Sequence, residues 1–263
     1  MKILWLVNII MPDLAKHIGR YSSVFGGWLS GAMKAVKESG NQLVVCTTVS
    51  DADQTQKYIV NDVTYYISKR SSISDMENSF KSILDEEKPD VVHIYGTEFE
   101  HSWAMAKQTD PDKTIVSIQG LVSFYSEHIY GGVPEHIADD NSMHKLLRKL
   151  HKGGNSIELQ KKSYLQRADA EIKTLQRVHY VNGGTHWGDG CAKLLQPDVN
   201  LLQCGLILRD SFYGPEKWDI DQIERHSIFT VYTYPIKGFD MFFAGIKVCC
   251  SAIPGYSRLC RRQ

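Results

Sequence analysis

Short, continuous apolar runs alternate along the chain with segments of helical periodicity. The runs predict strands buried on both faces of a parallel sheet, and they lie at 3–7, 43–46, 91–95, 114–118, 178–181 and 201–204. Residues 58–60 and 63–67 flank a turn-forming pair and predict a hairpin. This strand–helix alternation predicts the α/β fold class, with a doubly wound, mostly parallel and Rossmann-like sheet.

The helices between these strands have recognisable ends. Residues 28–36 carry an apolar face and predict a helix that stops at Gly40. Ser74-x-x-Glu77 predicts a capping-box start for the next helix, which Lys88-Pro89 ends. A long loop is expected after the first strand. Residues 141–168 are basic and polar and predict helix with a break at 153–154.

A short helix at 220–225 and another strand at 227–231 indicate that a second domain begins near residue 226. We therefore predict two parts, 1–225 and 226–263. The tail from 245 onward holds three of the chain's six cysteines and three arginines, a composition unlike what precedes it. A frameshifted or prematurely ended second domain is one interpretation, and a domain-sized fragment is another.

Composition excludes several classes of partner. Thirty Lys+Arg against thirty Asp+Glu give a formal net charge of +0, so no global field attracts nucleic acid or anionic lipid. The cysteines lack C-x-x-C spacing, which argues against a zinc site. The start lacks a signal-peptide pattern and no run approaches the ~18 apolar residues of a membrane span. We expect a cytoplasmic protein without an integral membrane segment.

Candidate chemistry lies just after predicted strands, where open α/β sheets bind their ligands. Gly26 and Gly27 open a helix, so their N–H groups could hold a phosphate, although a tight turn explains the pair equally well. Glu98 and Gln119 could hydrogen-bond sugar hydroxyls or simply be solvated. Lys237, on a glycine-containing turn, could meet a phosphate or lie free on the surface.

No metal site is expected. The D-x-D triplet at 51–53 lies in a polar loop. The one at 219–221 lies at a predicted helix start, where acidic residues are favoured by the helix dipole. His93, His128, His136 and His186 lack the spacing of metal ligands. The sequence also lacks a dinucleotide fingerprint and a P-loop. We therefore expect no cofactor and no metal.

Taken in order, these segments resemble the family-four retaining glycosyltransferases, a GT-B group that transfers hexoses from nucleotide sugars. The resemblance covers roughly residues 1–245 and rests on six segments: Phe25-Gly26-Gly27-Trp28, Val91-Val92-His93-Ile94 before a Gly-Thr-Glu loop, Ile118-Gln119-Gly120, residues 180–187, residues 208–213 and residues 234–240.

The resemblance implies two Rossmann-like lobes facing across a cleft, the first for the acceptor and the second for most of the nucleotide sugar. It places Gly26 and Gly27 at the donor diphosphate, with Lys237 neutralising the leaving group. Glu98 and Gln119 become the candidate catalytic residues, and Gln119 stands where many members carry histidine. Such enzymes need no D-x-D metal, because fixed cations and N–H dipoles can stabilise the departing charge.

Three departures from the family pattern bear on activity. Residues 184–188 read Gly-Thr-His-Trp-Gly where relatives often read Gly-Arg-Thr-x-Trp-Asp. Gln119 removes a proton-handling group. The family's acidic E-x7-E segment is not reached, so most of the donor lobe is expected to be missing.

Three functional hypotheses follow. The first is retaining hexosyl transfer from a nucleotide sugar to a saccharide or polysaccharide-precursor acceptor. This hypothesis concerns the complete sequence, and it leaves open whether the truncated chain is active. The second is a non-catalytic acceptor- or glycan-binding remnant. The third and weakest is an unrelated doubly wound nucleotide-binding enzyme or sensor.

Overall fold

The structure is a computed structural model that describes residues 1–21, 26–138, 146, 149–150, 156–208, 210–214, 219, 221 and 236. It divides into two compact units. The first comprises Met1–Ser123 and Arg167–Gly214, and the second comprises Phe124–Gln166 and Pro215–Gln263. The sequence-based boundary near residue 226 stays a prediction, since nearly all of 226–263 lies outside the described residues.

The first unit is built on an eight-stranded sheet with the order β3-β4-β2-β1-β5-β6-β7-β8. Its strands are β1 Lys2–Val7, β2 Gln42–Val49, β3 Gln56–Val60, β4 Val63–Lys69, β5 Val91–Tyr95, β6 Thr114–Ser117, β7 Tyr180–Asn182 and β8 Asn200–Leu201. Every neighbouring pair is parallel except β3 and β4. The predicted fold class, a mostly parallel and Rossmann-like α/β sheet, is confirmed.

Helices follow most strands, as parallel connections require. They are α1 Pro12–His17, α2 Gly27–Glu38, α3 Ile73–Glu87, α4 Glu100–Gln108, α5 Val122–Tyr125, α6 Glu135–Ala138, α7 Ile157–Arg177 and α8 His186–Leu195. Short 3-10 helices lie at Pro111–Lys113 and Asp210–Tyr213. The loop expected after β1 contains α1, because Pro12 occupies a first-turn position where its missing N–H does no harm.

Hydrogen bonds of side chains and backbone define the two ends of helix α3, and its start differs from the prediction. Helix α3 begins after Ser72, whose side chain accepts from the backbone N–H of Asp75 at 3.2 Å, and not at the similar Ser74-x-x-Glu77 pattern. The backbone N–H of Arg70 is paired with the carbonyl of Val49 at 2.7 Å, which brings the turn close to the end of β2. The helix stops at Lys88 as predicted, with φ of 47° there.

The hairpin predicted at 58–67 is also present. Asn61 and Asp62 have φ of 50° and 61°, the left-handed conformation of a two-residue hairpin turn, and both residue types tolerate it. Strand β3 forms the edge of the sheet and is largely exposed.

The core forms where the sheet meets its helices. Trp5 and Trp28 both contact the ring of Tyr95 edge-on, with centroids 5.1 and 5.2 Å apart. The central strands are in register, since Leu6 is opposite Ile94. Residues that directly follow β1, β5 and β6 therefore come together at one edge of the sheet, called here the carboxyl edge.

The second unit is described by its own contacts. The ammonium of Lys161 lies over the ring of Tyr130, 4.8 Å from its centroid, and 3.4 Å from a carboxylate oxygen of Glu135. The helix predicted at 141–168 is observed from residue 157 and extends to 177, whereas its predicted break at 153–154 lies outside the described residues. The helix at 220–225 and the strand at 227–231 also lie outside that range, apart from residue 221.

Candidate functional site at the carboxyl edge

Three polar side chains meet at the carboxyl edge. The amide nitrogen of Asn8, directly after β1, donates to Oε2 of Glu98 at 3.5 Å and to Oε1 of Gln119 at 3.3 Å. Glu98 follows β5 and Gln119 follows β6, so each strand contributes one group. The two predicted catalytic residues are thus brought together, with Asn8 as the link between them.

Gly96 allows this close approach. Its φ is 88°, and an added Cβ would lie 2.2 Å from Oε2 of Glu98 and 2.6 Å from Nδ2 of Asn8. A side chain at this position would occupy the space that the polar groups share. Glycine is therefore favoured here by its backbone conformation, and an added Cβ would displace the ends of the side chains that form the cluster.

A directional chain of hydrogen bonds holds Asn8 in place. Nε and Nη2 of Arg70 donate to the hydroxyl and the carbonyl of Thr48, at 3.3 and 2.9 Å. The Thr48 hydroxyl is 2.8 Å from Nδ1 of His101, and Nε2 of His101 is 2.8 Å from Oδ1 of Asn8. Since the Asn8 oxygen can only accept, Nε2 carries the proton and Nδ1 accepts from Thr48.

His101 is neutral in this series of hydrogen bonds. It is almost fully buried on α4, and burial lowers its pKa to about 3, with a smaller contribution from the charge of Arg70. Deprotonation at one ring nitrogen is what the donor–acceptor order requires. His101 therefore orients Asn8, and its protonation state does not change near neutral pH.

Glu98 is the ionisable side chain among Asn8, Glu98 and Gln119. Burial raises its pKa to about 7, and the negative charge of Glu171 adds to the shift, whereas hydrogen bonds and the charge of Arg167 oppose it. A carboxyl that titrates near neutrality can donate or accept a proton at physiological pH. Gln119 is exposed beside it and stays neutral.

Glu171, on α7, ties two strand-end loops together. Oε2 accepts from the hydroxyl of Thr97 at 3.0 Å and from the N–H of Val122 at 3.1 Å, and Oε1 accepts from the N–H and hydroxyl of Ser123. The side chain is fully buried, and burial raises its pKa while these bonds oppose the shift. Glu171 fixes the positions of the loops after β5 and β6.

The predicted diphosphate-binding residues lie in two different parts of the chain. Gly26 precedes α2 with φ of 71°, and Gly27 is the first residue of that helix, so the pair opens a helix as predicted. An added Cβ on Gly26 would lie 2.5 Å from Cδ1 of Ile9, in the loop after β1. Their contact with a diphosphate stays a prediction. Lys237 lies outside the described residues.

The segment that departs from the family pattern opens α8. Thr185 caps the helix by accepting from the N–H of Gly188 at 3.0 Å. Gly183 and Gly188 pack backbone to backbone, since a Cβ on Gly188 would lie 2.2 Å from the Gly183 carbonyl oxygen. The glycine that stands in the family's aspartate position thus permits close packing of β7 on α8.

Sequence reasoning missed several residues of this site. Asn8 carried a usable signal, because it directly follows a buried strand. His101, Arg70, Glu171 and Arg167 carried none, since their partners lie tens of residues away in the chain: His101 and Asn8 are 93 positions apart.

The described part of the chain contains neither a cluster of metal ligands nor a membrane-spanning helix. No group of three or more His, Cys, Asp or Glu side chains there is placed to hold a metal ion. Among the described helices, none combines the length and the apolar character needed to cross a membrane. The expectation of a metal-independent, cofactor-free protein stays a prediction.

Fold and site together define a Rossmann-like α/β domain with a polar cluster at its carboxyl edge. No protein-family model matches the chain, and no curated protein matches it. Among solved structures, it is similar to UDP-GlcNAc 2-epimerase from Methanocaldococcus jannaschii, with 13% identity and a TM-score of 0.40, covering 76% of this chain and 45% of that one.

Two further structures are similar at comparable levels. One is trehalose-6-phosphate from E. coli bound with UDP-2-fluoro glucose, at 11% identity and a TM-score of 0.35, covering 73% of this chain and 42% of that one. The other is an alpha,alpha-trehalose-phosphate synthase (UDP-forming) from Burkholderia vietnamiensis, at 14% identity and a TM-score of 0.29, covering 73% and 41%. The chain spans less than half the length of these three structures.

Proposed function

We propose that this chain supplies the acceptor-side lobe of a retaining, nucleotide-sugar-dependent glycosyltransferase of the GT-B type, which transfers a hexose to a saccharide acceptor. The observation that carries the proposal is the cluster of Asn8, Glu98 and Gln119 at the carboxyl edge. Amide and carboxyl groups both donate to and accept from sugar hydroxyls, and this edge is where α/β sheets bind their ligands.

Glu98 is the group best suited to handle a proton. Its pKa of about 7 keeps a substantial fraction ionised near neutrality, so it can accept a proton from an acceptor hydroxyl. Gln119 is exposed next to it and can orient the sugar through neutral hydrogen bonds. In this proposal the acceptor hydroxyl attacks the hexose on the face from which the nucleotide diphosphate departs.

The residues assigned to donor binding follow from the resemblance to the family-four retaining glycosyltransferases. The N–H groups at Gly26 and Gly27, at the start of a 12-residue helix, support binding of a diphosphate through the positive end of the helix dipole. Lys237 would neutralise the leaving group as a point charge. No metal is required in this scheme, because these groups would stabilise the departing diphosphate.

The test is transfer of radiolabelled hexose from UDP-glucose and other nucleotide sugars to a panel of saccharides. We expect transfer that falls at least about tenfold in the Glu98→Gln variant and stays unchanged in Glu127→Gln, which replaces an exposed acid that is not a member of the cluster. Absence of both transfer and donor hydrolysis in the folded chain would contradict enzymatic activity. Stabilisation by saccharides without any nucleotide-sugar response would identify a non-catalytic glycan-binding domain instead.

A further inference from the structure

The series of hydrogen bonds that reaches Asn8 has a fixed direction, because of the groups at its two ends. A guanidinium can only donate, and Nε of Arg70 donates to the hydroxyl of Thr48 at 3.3 Å. An ionised carboxylate can only accept, and Oε2 of Glu98 accepts from Nδ2 of Asn8 at 3.5 Å. Thr48, His101 and Asn8 lie between these ends. Each of them must therefore accept on the arginine side and donate on the carboxylate side.

This direction also sets the side-chain amide of Gln119. Oδ1 of Asn8 faces Nε2 of His101, so the other end of the amide, Nδ2, faces the carboxyl edge with two N–H donors. One donor is directed to Glu98 and the other to Oε1 of Gln119 at 3.3 Å. Because Asn8 offers only donors here, Gln119 must turn its oxygen toward Asn8. Nε2 of Gln119 then remains a donor, and among the described residues none accepts from it.

The three polar groups surround one space. A Cβ added to Gly96 would lie no more than 3.1 Å from Nδ2 of Asn8, Oε2 of Glu98 and Oε1 of Gln119. Gln119 is exposed and Glu98 is partly exposed, so a ligand can approach both from solvent. Such a ligand meets a carboxyl group and an amide N–H donor together.

We propose that Asn8 is a specificity-determining residue, because it fixes Gln119 as a hydrogen-bond donor toward the acceptor sugar. The sugar that fits has a reacting hydroxyl that donates to Glu98, and a neighbouring oxygen that accepts from Nε2 of Gln119. The inference rests on the proposed function and specifies its substrate class. Asn8 acts through Gln119 and is a positioning residue.

The fixed direction makes a distinction between the two oxygens of the sugar. The oxygen that meets Gln119 only has to accept, so an ether or glycosidic oxygen serves there as well as a free hydroxyl. The oxygen that meets Glu98 has to carry a hydrogen. Acceptor sugars substituted next to the reacting hydroxyl are therefore included in the substrate class, whereas sugars that lack an oxygen at that place are excluded.

The test is NMR titration of the isotope-labelled full chain with methyl glucoside, methyl galactoside and methyl mannoside, each also as its monodeoxy and mono-O-methyl derivatives. At about pH 8, Glu98 is mostly ionised, since its pKa is about 7. One hydroxyl should tolerate methylation, with Kd within about threefold, but not removal, with Kd raised at least about tenfold. The neighbouring hydroxyl should tolerate neither change.

Two substitutions test the role of Asn8 in this pattern. In Asn8→Ala nothing holds the Gln119 oxygen inward, so the preference for the O-methyl over the deoxy derivative should shrink to about threefold or less. Gln119→Glu replaces the donor by an acceptor of the same shape, and methylation should then raise Kd at least about tenfold. Asn41→Ala and Gln42→Glu make the same exchanges at the opposite end of the strands, where β2 begins, and should leave the pattern unchanged.

A second measurement needs no ligand and no variant. The Nδ2 hydrogens of Asn8 are engaged by Glu98 and Gln119, whereas those on Nε2 of Gln119 face no acceptor among the described residues. The side-chain amide protons of Gln119 should therefore exchange with water at least about tenfold faster than those of Asn8. This order reports the amide direction even if Asn8→Ala does not fold.

Other results would overturn the assignment. Slower amide exchange at Gln119 than at Asn8 contradicts the orientation. Methylation and removal that weaken binding equally at every hydroxyl contradict the donor role of Gln119, and a pattern that persists in folded Asn8→Ala contradicts the role of Asn8. If none of the three hexosides binds, recognition of a neighbouring oxygen is contradicted as well.

These outcomes separate the inference from the transferase proposal. A chain that shows the expected pattern among the derivatives but transfers no hexose supports the role of Asn8 while contradicting the transferase. Hexose transfer that continues unchanged when the oxygen next to the reacting hydroxyl has been removed does the reverse.

Discussion

Replacing Glu98 by glutamine is expected to change how stability depends on pH. In the folded chain, burial raises the pKa of this carboxyl from its ordinary value of 4.5 to about 7. Between these two values the folded chain keeps a proton that the unfolded chain has released. Stability conferred by the protonated form is therefore lost as pH rises through this window, and the loss is complete above about pH 7.

The magnitude follows from the pKa. Each unit of pKa difference corresponds to ~1.4 kcal/mol, so ionised Glu98 lowers the free energy of unfolding by at most about 3.5 kcal/mol. Because the side chain is only partly buried, we expect roughly 2 kcal/mol. Glutamine keeps an oxygen that can accept from Asn8 but cannot ionise. The Glu98→Gln variant should thus gain on the wild type as pH rises.

Urea denaturation at about pH 5, 6, 7 and 8 measures this difference. The gap between Glu98→Gln and the wild type should widen by about 2 kcal/mol across the series in favour of the variant. Glu171 is present in both proteins, so its own titration largely cancels. Glu127→Gln, which replaces an exposed acid, should show a constant gap. Parallel curves for Glu98→Gln and the wild type would refute the reasoning.

Three other substitutions test the geometry, all by urea denaturation. Gly96→Ala should cost about 1–2 kcal/mol, because its φ of 88° is unfavourable for alanine, whereas Gly190→Ala, with no neighbouring atom within 4 Å, should not destabilise. His101→Ala should cost roughly 2 kcal/mol, since the buried Thr48 and the half-buried Asn8 each lose a hydrogen bond; a cost near zero would argue against this series of hydrogen bonds. Ser72→Ala should cost about 1 kcal/mol and Ser74→Ala much less, and the reverse order would restore the predicted capping box.

The sheet could be predicted because its signal is local. A strand buried on both faces is an unbroken apolar run, as in β1 and β5, and the carboxyl-edge rule then places Glu98 and Gln119 in one region. Helix α3 was placed correctly but its start was not. Ser72 and Ser74 each precede an acid by three residues, and the choice depends on the path from β4.

The connections between loops could not be predicted, for a physical reason. His101 lies on a helix whose neighbours 102 and 104 are also buried, so no period separates a hydrogen-bonded histidine from a packed one. Glu171 lies on a helix of charged residues and resembles any solvated acid. Only the three-dimensional packing of α7 against the strand ends shows that it is buried and paired.

The direction of the hydrogen bonds from Arg70 to Asn8 restricts how the sequence can diverge. Each member must donate on one side and accept on the other, so exchanging Asn8 for an aspartate would leave an acceptor facing Glu98. A substitution that exchanges a donor for an acceptor at one of these positions is expected to be tolerated only when its hydrogen-bond partner makes the opposite exchange. In an alignment of homologous sequences, positions 8, 48 and 101 should therefore covary, although they are separated by dozens of residues.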